Sequence, residues 1–400
     1  MALSMSFFGL SYTAPSWYAG RLWLLRLGYY KLTRPKEQAE DWVWIVDHTI
    51  QIGTDKCLVI LGVRLSCLPP AGQCLEHEDV EPILLSPVKK SNGAIVYQQL
   101  EDAAEKTGVP RVIVADHGGD VNAGITQFCQ HHPQTCSLYD IKHKTAAILK
   151  RELKDDATWN EFIRLCNETK RKVQQTPLAF LAPPNQRSKA RYMNLDILVE
   201  WGNKALTYLE RSNPEQDEKV SQASLEDKLD WLRSFRRPLQ TWAELLQVSA
   251  TTESFVRKQG LSRGCHRKLK TLLKPCATTA QAQKVRQELL AFVAEESLKA
   301  QPNERLLGSS EVIESIFGKL KRLEQDQVKS GFTGLVLALA AIVSTTTSDV
   351  VQEALQTVPT KNVLQWRKEN LGQSVQAQRK NLLAAENKKE QKQDQILEAA

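Results

Sequence analysis

Apolar residues along this chain follow two kinds of spacing, and the switch between them divides it into regions. Near the start, Trp17, Leu22, Leu24, Leu25, Leu27 and Tyr30 recur at helical spacing between Ala14 and Leu32. Ser16 is placed to cap that helix, because its hydroxyl suits the unpaired N–H groups of a first turn, and Thr33-Arg34-Pro35 ends it. From Trp42 to Leu65 the apolar residues are instead nearly continuous, with a turn signal at Gly53-Thr54-Asp55. This predicts two strands, Ile83-Leu84-Leu85 predicts a third, and Arg111 to Ala115 a fourth. Between the last two, Asn92-Gly93 opens a helix that runs to about Thr107, where Gly108-Val109-Pro110 breaks it. A further helix, a fifth strand at Cys136 to Tyr139 and a helix from Lys144 to Leu153 follow.

Beyond this region the spacing is helical almost throughout. Trp201, Leu206 and Leu209, then Leu229, Trp231 and Leu232, then Trp242, Leu245 and Leu246 mark successive helices, as do Leu269, Leu272 and Leu273, and Leu289, Leu290 and Phe292. Pro183-Pro184 and Ser212-Asn213-Pro214 separate helices. Ser310 to Lys321 is amphipathic. Gly331 to Ser344 is uncharged and apolar but shorter than the ~20 residues of a membrane span, so a buried helix is expected and no membrane association. The expected organisation is a basic N-terminal helix over 1–40, the remnant of a helix-turn-helix domain, then the first part of an α/β core over 41–153. An all-helical insertion over 154–302, the last part of the core over 303–375 and a polar tail over 376–400 complete it.

Composition changes this picture only through where the charge lies. Four hundred residues exceed the ~250–300 at which a single core stops growing, so more than one structural unit is expected. Residues 1–36 carry Arg21, Arg26, Lys31, Arg34 and Lys36 with no acid. The segment 254–287 carries nine cations and again no acid: Arg257, Lys258, Arg263, Arg267, Lys268, Lys270, Lys274, Lys284 and Arg286. Segregated positive charge points to a polyanion, since neutralising phosphates with Lys and Arg drives non-specific nucleic-acid binding. Residues 210–230 are acidic by contrast. Eight cysteines without a CxxC pair argue against a disulfide framework or a zinc ribbon, and Cys129, His131, His132 and Cys136 are irregularly spaced for a metal. Reduced cysteines and the lack of a secretory n-region imply a cytoplasmic protein, nucleoid-associated in a bacterium, or a nuclear one in a eukaryote.

Three carboxylates stand where a nuclease-type metal site needs them. Asp47 ends the run Trp42-Val43-Trp44-Ile45-Val46, Asp116 ends Val112-Ile113-Val114-Ala115, and Glu314 lies in the amphipathic stretch. Phosphodiester chemistry proceeds by in-line displacement, stabilised by two ions about 3.5–4 Å apart. Mg²⁺ prefers oxygen ligands and keeps waters, so two strand tips and one helix can supply its protein ligands.

These residues resemble DDE transposases of insertion sequences. Glu314-Ser315-Ile316-Phe317-Gly318-Lys319-Leu320-Lys321 is similar to the family's third motif, and Val114-Ala115-Asp116-His117-Gly118-Gly119-Asp120 to its second, with Asp116 preferred over Asp120, which would cap the following helix. Asp140-Ile141-Lys142-His143 resembles a pair found in family members with helical insertions. The resemblance implies a ribonuclease H-like mixed sheet flanked by helices, with a large all-α insertion. It implies Mg²⁺, with Mn²⁺ as a substitute, held by Asp47, Asp116 and Glu314 as the catalytic and metal residues, with Asp140 and His143 positioning a phosphate. Lys144, Lys319 and Lys321 would meet DNA, together with Arg257, Lys258, Arg263, Arg267, Lys268 and Lys270 of the basic segment. Trp201, Trp231 and Trp242 are candidates for stacking on a flipped base. The implied activity is cleavage of transposon ends and strand transfer to target DNA by 3′-hydroxyl attack, by a homodimer or higher oligomer on DNA. A nuclease of the same fold without strand transfer and a non-catalytic DNA-binding derivative are the alternatives.

Overall fold

The computed structural model describes residues 15–52, 55–185, 195–210, 222–325 and 335–371. The turn at Gly53-Thr54, the Ser212-Asn213-Pro214 break, most of the acidic stretch and the polar tail lie outside the described residues. The chain divides into two compact units, one of residues 1–70, 74–138 and 310–400, the other of 71–73 and 139–309.

The first unit is built on a five-stranded mixed sheet. Its strands are β1 (Trp42–Ile52), β2 (Asp55–Arg64), β3 (Glu81–Val88), β4 (Val112–Ala115) and β5 (Cys136–Tyr139), in the order β3-β2-β1-β4-β5. β1 and β2 pair antiparallel, as do β2 and β3, whereas β1 and β4 run parallel with Val43 opposite Val112 and Val46 opposite Ala115. A parallel pair needs a crossover, and the helix that supplies it runs between β3 and β4.

Alternate residues of each strand face opposite sides of the sheet. On one side Trp42, Trp44, Val46, Leu58, Ile60, Ile113 and Ala115 form a core with Val96, Leu100 and Ala103 and with Val121, Ile125 and Phe128. The helices that carry those side chains, and the element that opens the unit, are α1 (Trp17–Thr33), α2 (Gly93–Thr107) and α3 (Gly119–His131). α2 starts where the sequence indicates, with the Asn92 side chain accepting from the Ile95 N–H at 2.9 Å.

On the other side Val43, Ile45, Val59, Leu61, Val112 and Val114 are equally buried. The segment after residue 309 covers them. Its helices are α11 (Glu311–Gln325), α12 (Val336–Ala341), α13 (Ser348–Thr357) and α14 (Thr360–Leu371). α11 packs against β1, while α1, α12 and α14 pack against β3. All six residues of α12 are buried, as expected of the apolar stretch that contains it.

α1 is bound into this layer. A Cβ on Gly28 would stand 2.0 Å from the carbonyl oxygen of Leu337, so only glycine lets α1 approach the α12 backbone this closely. Two of its basic residues, Arg26 and Lys31, are consumed internally. Lys31 is fully buried, and its ammonium donates to the carbonyls of Val343 at 2.6 Å and Ser344 at 3.0 Å and to the Thr346 hydroxyl at 2.6 Å. Arg26 donates to the Leu355 and Val358 carbonyls at the end of α13, satisfying acceptors that a helix C-terminus leaves open. Arg34 and Lys36 both pair with Glu81.

The second unit is helical: α4 (Ile141–Leu153), α5 (Ala157–Val173), α6 (Asp196–Leu209), α7 (Gln222–Leu229), α8 (Arg236–Gln259), α9 (His266–Leu273) and α10 (Ala280–Ser297). Aromatic rings fill its interior. Phe162 sits among Trp159, Trp201, Trp231, Phe235 and Trp242, with ring centroids between 5.1 Å (Trp242) and 6.5 Å (Trp201) away. Trp201 donates its indole N–H to the Leu181 carbonyl and Trp231 to the Thr169 hydroxyl, and Trp242 is buried. The three tryptophans singled out as stacking candidates therefore serve this core. Their helical spacing is the signature of an inward-facing stripe.

Candidate active site

Asp47 and Asp116 come from neighbouring strands. Val46 and Ala115 are the last registered pair of the parallel β1–β4 ladder, and the next residue in each case is the aspartate, Asp47 within β1 and Asp116 just past the end of β4. Neighbouring strands lie about 4.8 Å apart, so the two carboxylates leave the sheet side by side. Val46 and Ala115 face the core formed with α2 and α3, so Asp47 and Asp116 alternate to the face carrying Ile45 and Val114. α11, with Glu314 in its first turn, packs against β1 in the same unit.

Both aspartates line a cleft of about 370 Å³ together with His48, Thr49, Lys56 and the start of α3. Both carboxylates accept main-chain hydrogen bonds, Asp47 from the His48 N–H at 2.6 Å and Asp116 from the Gly118 N–H at 3.3 Å. Glu314 is half-buried and is not among the residues that line this cleft. Within the first unit, among the described residues, no three His, Cys, Asp or Glu side chains bring one ligand atom each within 4.8 Å of one another. A pair of ions spaced ~4 Å apart takes its outer ligands from further apart than a single ion does.

Asp120 has a different set of partners. Its carboxylate pairs with the Lys56 ammonium at 2.8 Å, accepts from the Val121 N–H at 3.1 Å and lies 3.9 Å from His48 Nδ1. Burial works to raise this carboxyl, but hydrogen bonds from Lys56 and Ser91 and the nearby positive charge outweigh it and hold it at about 2. Asp120 is therefore an ion-paired residue of the first turn of α3, whose N-cap is Gly118. It does not cap the helix as the sequence suggested.

His48 lies between these groups. Its Nε2 is 3.3 Å from the Ser91 hydroxyl, and burial pushes the imidazole below its ordinary value against the opposing pull of Asp120. Neither His48 nor Lys56 was singled out by sequence reasoning. Lys56 could have been found from the hairpin register, because Thr49 stands opposite Cys57 and carries the residue before it to the cleft.

The remaining candidates are placed as follows. Asp140 is fully buried and caps α4, accepting from the His143 N–H at 2.8 Å. Lys144, one turn in, pairs with Glu288 at 3.6 Å and stands over the Phe292 ring. Lys319 donates to His77 Nδ1 at 2.6 Å, and His77 Nε2 lies 3.2 Å from the Ser315 hydroxyl, so one imidazole ties together two residues a turn apart on α11. Since Lys319 can only donate, Nδ1 accepts and His77 is neutral, with its proton on Nε2. Lys321 is exposed. Of the basic segment, Arg263 donates to the Ala300 carbonyl at 2.7 Å and Lys284 pairs with Glu152, whereas Lys258, Arg267, Lys268 and Lys270 are exposed. Arg257 is half-buried at the end of α8.

The cysteines are all free. His132 bonds Glu101, His131 bonds the Gln127 carbonyl, and Cys136 accepts from Arg111, so these residues are engaged apart from one another. No helix among the described residues is long and apolar enough to cross a membrane.

No protein-family profile matches the chain, and no curated protein does. Among solved structures it is similar to the Drosophila P element transposase strand transfer complex, at 13% identity and a TM-score of 0.36, over 84% of this chain and 86% of that one.

Proposed function

We propose that this chain is a metal-dependent polynucleotidyl transferase of the DDE transposase type, cutting DNA ends and joining the freed 3′-hydroxyl to target DNA. The observation that carries this reading is that Asp47, within β1, and Asp116, directly after β4, each follow the registered Val46–Ala115 pair of adjacent parallel strands and line one open polar cleft. The strand order β3-β2-β1-β4-β5, with three antiparallel strands followed by a parallel fourth, is the order of a ribonuclease H-like sheet.

The residues fit Mg²⁺. Carboxylate oxygens are the hard donors it prefers, and an open cleft leaves room for the waters it keeps. Asp47 and Asp116 would hold the ions, with Glu314 completing the set from α11. Bound there, the ions would stabilise the entering and leaving oxygens of an in-line displacement. The protein's own contribution is rigidity: both aspartates follow directly on fully buried strand residues, and both carboxylates are oriented by main-chain N–H groups. Lys56 keeps Asp120 engaged in an ion pair, which leaves Asp116 as the carboxylate partner of Asp47. Lys319, Lys321, Lys144 and the cations of the basic segment would bind the DNA backbone, and Asp140 would set the position of His143 through the α4 cap.

The test is Mg²⁺-dependent cleavage and strand transfer, using duplexes that carry inverted repeats taken from the flanks of the coding sequence. Asp47→Asn, Asp116→Asn and Glu314→Gln are each expected to abolish both reactions and to retain DNA binding, since an amide keeps the shape and loses the charge. Wild-type rates in all three variants would overturn the proposal, and cleavage without joining would leave a nuclease in its place.

A further inference from the structure

We propose that α9 is the helix through which the second unit grips duplex DNA, along its phosphate backbone and without regard to sequence. This deepens the DNA-binding part of the function proposed above and rests on it.

The segment is built to present a short, rigid cationic rod. Leu269 and Leu273 are fully buried and anchor α9, which packs against both α8 and α10. The turn before it is fixed at both ends. Gly260 has φ +67°, and a Cβ there would meet the Leu306 carbonyl at 2.7 Å; Leu261 then forms an isolated antiparallel bridge with Leu306. Arg263 adds its bond to the Ala300 carbonyl.

Everything that α9 turns outward is positive or neutral. Arg267, Lys268, Lys270 and Lys274 are exposed, and among the described residues none of them has an acidic partner. The nearby acids are engaged elsewhere. Glu244 of α8 is held by Thr278 and Thr279, Glu288 of α10 by Arg151, Glu296 by Lys299, and Glu152 of α4 by Arg151 and Lys284. Glu152, Glu288 and Glu296 are thus paired with cations other than those four, and the Glu244 anion is held by the hydroxyls and N–H groups of Thr278 and Thr279.

The spacing matches a duplex. Arg267, Lys270, Thr271 and Lys274 fall at i, i+3, i+4 and i+7, a stripe about 10 Å long at 1.5 Å per residue. Duplex DNA carries one charge per ~1.7 Å of axis, and its major groove, ~12 Å wide, admits a helix. Single strands are gripped by aromatic stacking platforms, and α9 carries no Phe, Tyr or Trp. It also carries no Asn or Gln to pair with adenine edges, and Arg and Lys are the side chains that make the sequence-independent contacts to phosphate. One exposed leucine, Leu272, is too little apolar surface for a lipid bilayer to be the partner.

The experiment uses the full chain, a random-sequence duplex and a single strand of equal length, with affinity measured by anisotropy between about 50 and 200 mM salt. Replacing Arg267, Lys268, Lys270 and Lys274 together by Ala is expected to lower the log–log salt slope by about 3 to 4, at ~0.9 per lost phosphate contact. Lys268→Gln with Lys270→Gln, a milder change, is expected to lower it by about 2. Melting curves of both variants are expected to overlay the wild type, because the side chains are exposed. An unchanged slope in either variant overturns the proposal, as does binding of the single strand as tight as that of the duplex, or α9-dependent binding to phosphatidylserine vesicles without binding to duplex. Asp47→Asn separates this from the catalytic reading: loss of cleavage with the slope retained supports both. A wild type that binds through α9 but never cleaves removes only the catalytic reading.

Discussion

Asp47 and Asp116 each stand one residue beyond a registered pair, Val46 opposite Ala115, on adjacent parallel strands. A divalent ion that binds between them binds only the folded chain, and so stabilises it by RT ln(1 + [ion]/Kd), about 2.7 kcal/mol at a hundredfold excess over Kd. Mg²⁺ is therefore expected to raise the melting temperature of the wild type above that in Na⁺ of equal ionic strength, and a chelator to reverse the rise. In Asp47→Asn or Asp116→Asn the rise should be absent. A rise of wild-type size in both variants would place the ion elsewhere.

Asp120 should behave as a structural acid. Its carboxyl lies below its ordinary value, so its stabilising effect is present above pH 3.8 and is lost as pH falls towards about 2. Asp120→Asn is expected to flatten the acid limb of the stability profile over that window. At neutral pH it should cost no more than ~1 kcal/mol, since the pair with Lys56 is partly exposed. Cleavage should survive. Loss as complete as in Asp116→Asn would transfer the second ligand to Asp120.

Lys31 is a sharper test of how the two ends of the chain are joined. Burial lowers its ammonium to about 8, which leaves it charged at neutral pH and bonded to Val343, Ser344 and Thr346. Lys31→Met keeps much of the volume but orphans buried acceptors, each costing about 1–3 kcal/mol. Equilibrium unfolding in urea should show a loss in that range or above. A loss of only a few tenths would mean that the carbonyls find other partners.

His77 predicts a dependence at higher pH than Asp120, with the same sign. Burial first, and then the charge of Lys319, hold its imidazole below its ordinary value. A folded value below the unfolded one means that the folded chain resists the proton, so stability is full above pH 6.5 and declines as pH falls below it. Thermal melts between pH 5 and 8 should show that decline and should lose part of it in His77→Gln, which removes the titrating group.

Much of the first unit was legible in the sequence. The five strands, the Ser16 and Asn92 caps and the buried helix within 331–344 all follow from apolar runs and their breaks, because continuous burial leaves a continuous pattern. Asp47 and Asp116 were legible for the same reason, as the first charged residues after such runs. The fate of the cations was not. Arg26, Lys31, Arg34 and Lys36 have the same composition signal as Arg267, Lys268 and Lys270, yet the first set is consumed by carbonyls and by Glu81.

Local periodicity is a property of neighbouring residues, so the sequence by itself determined which segments are strands and helices, which faces of them are apolar, and which carboxylates follow apolar runs. Whether a charge meets a partner depends on residues far along the chain. Lys31 finds its acceptors more than three hundred residues away, and His77 finds Lys319 242 residues on. No pattern in one dimension carries that information. Only the tertiary structure decided that α1 belongs to the core, that the insertion tryptophans are interior, that Asp120 is neutralised by Lys56, and that Arg267, Lys268 and Lys270 of α9 stay exposed.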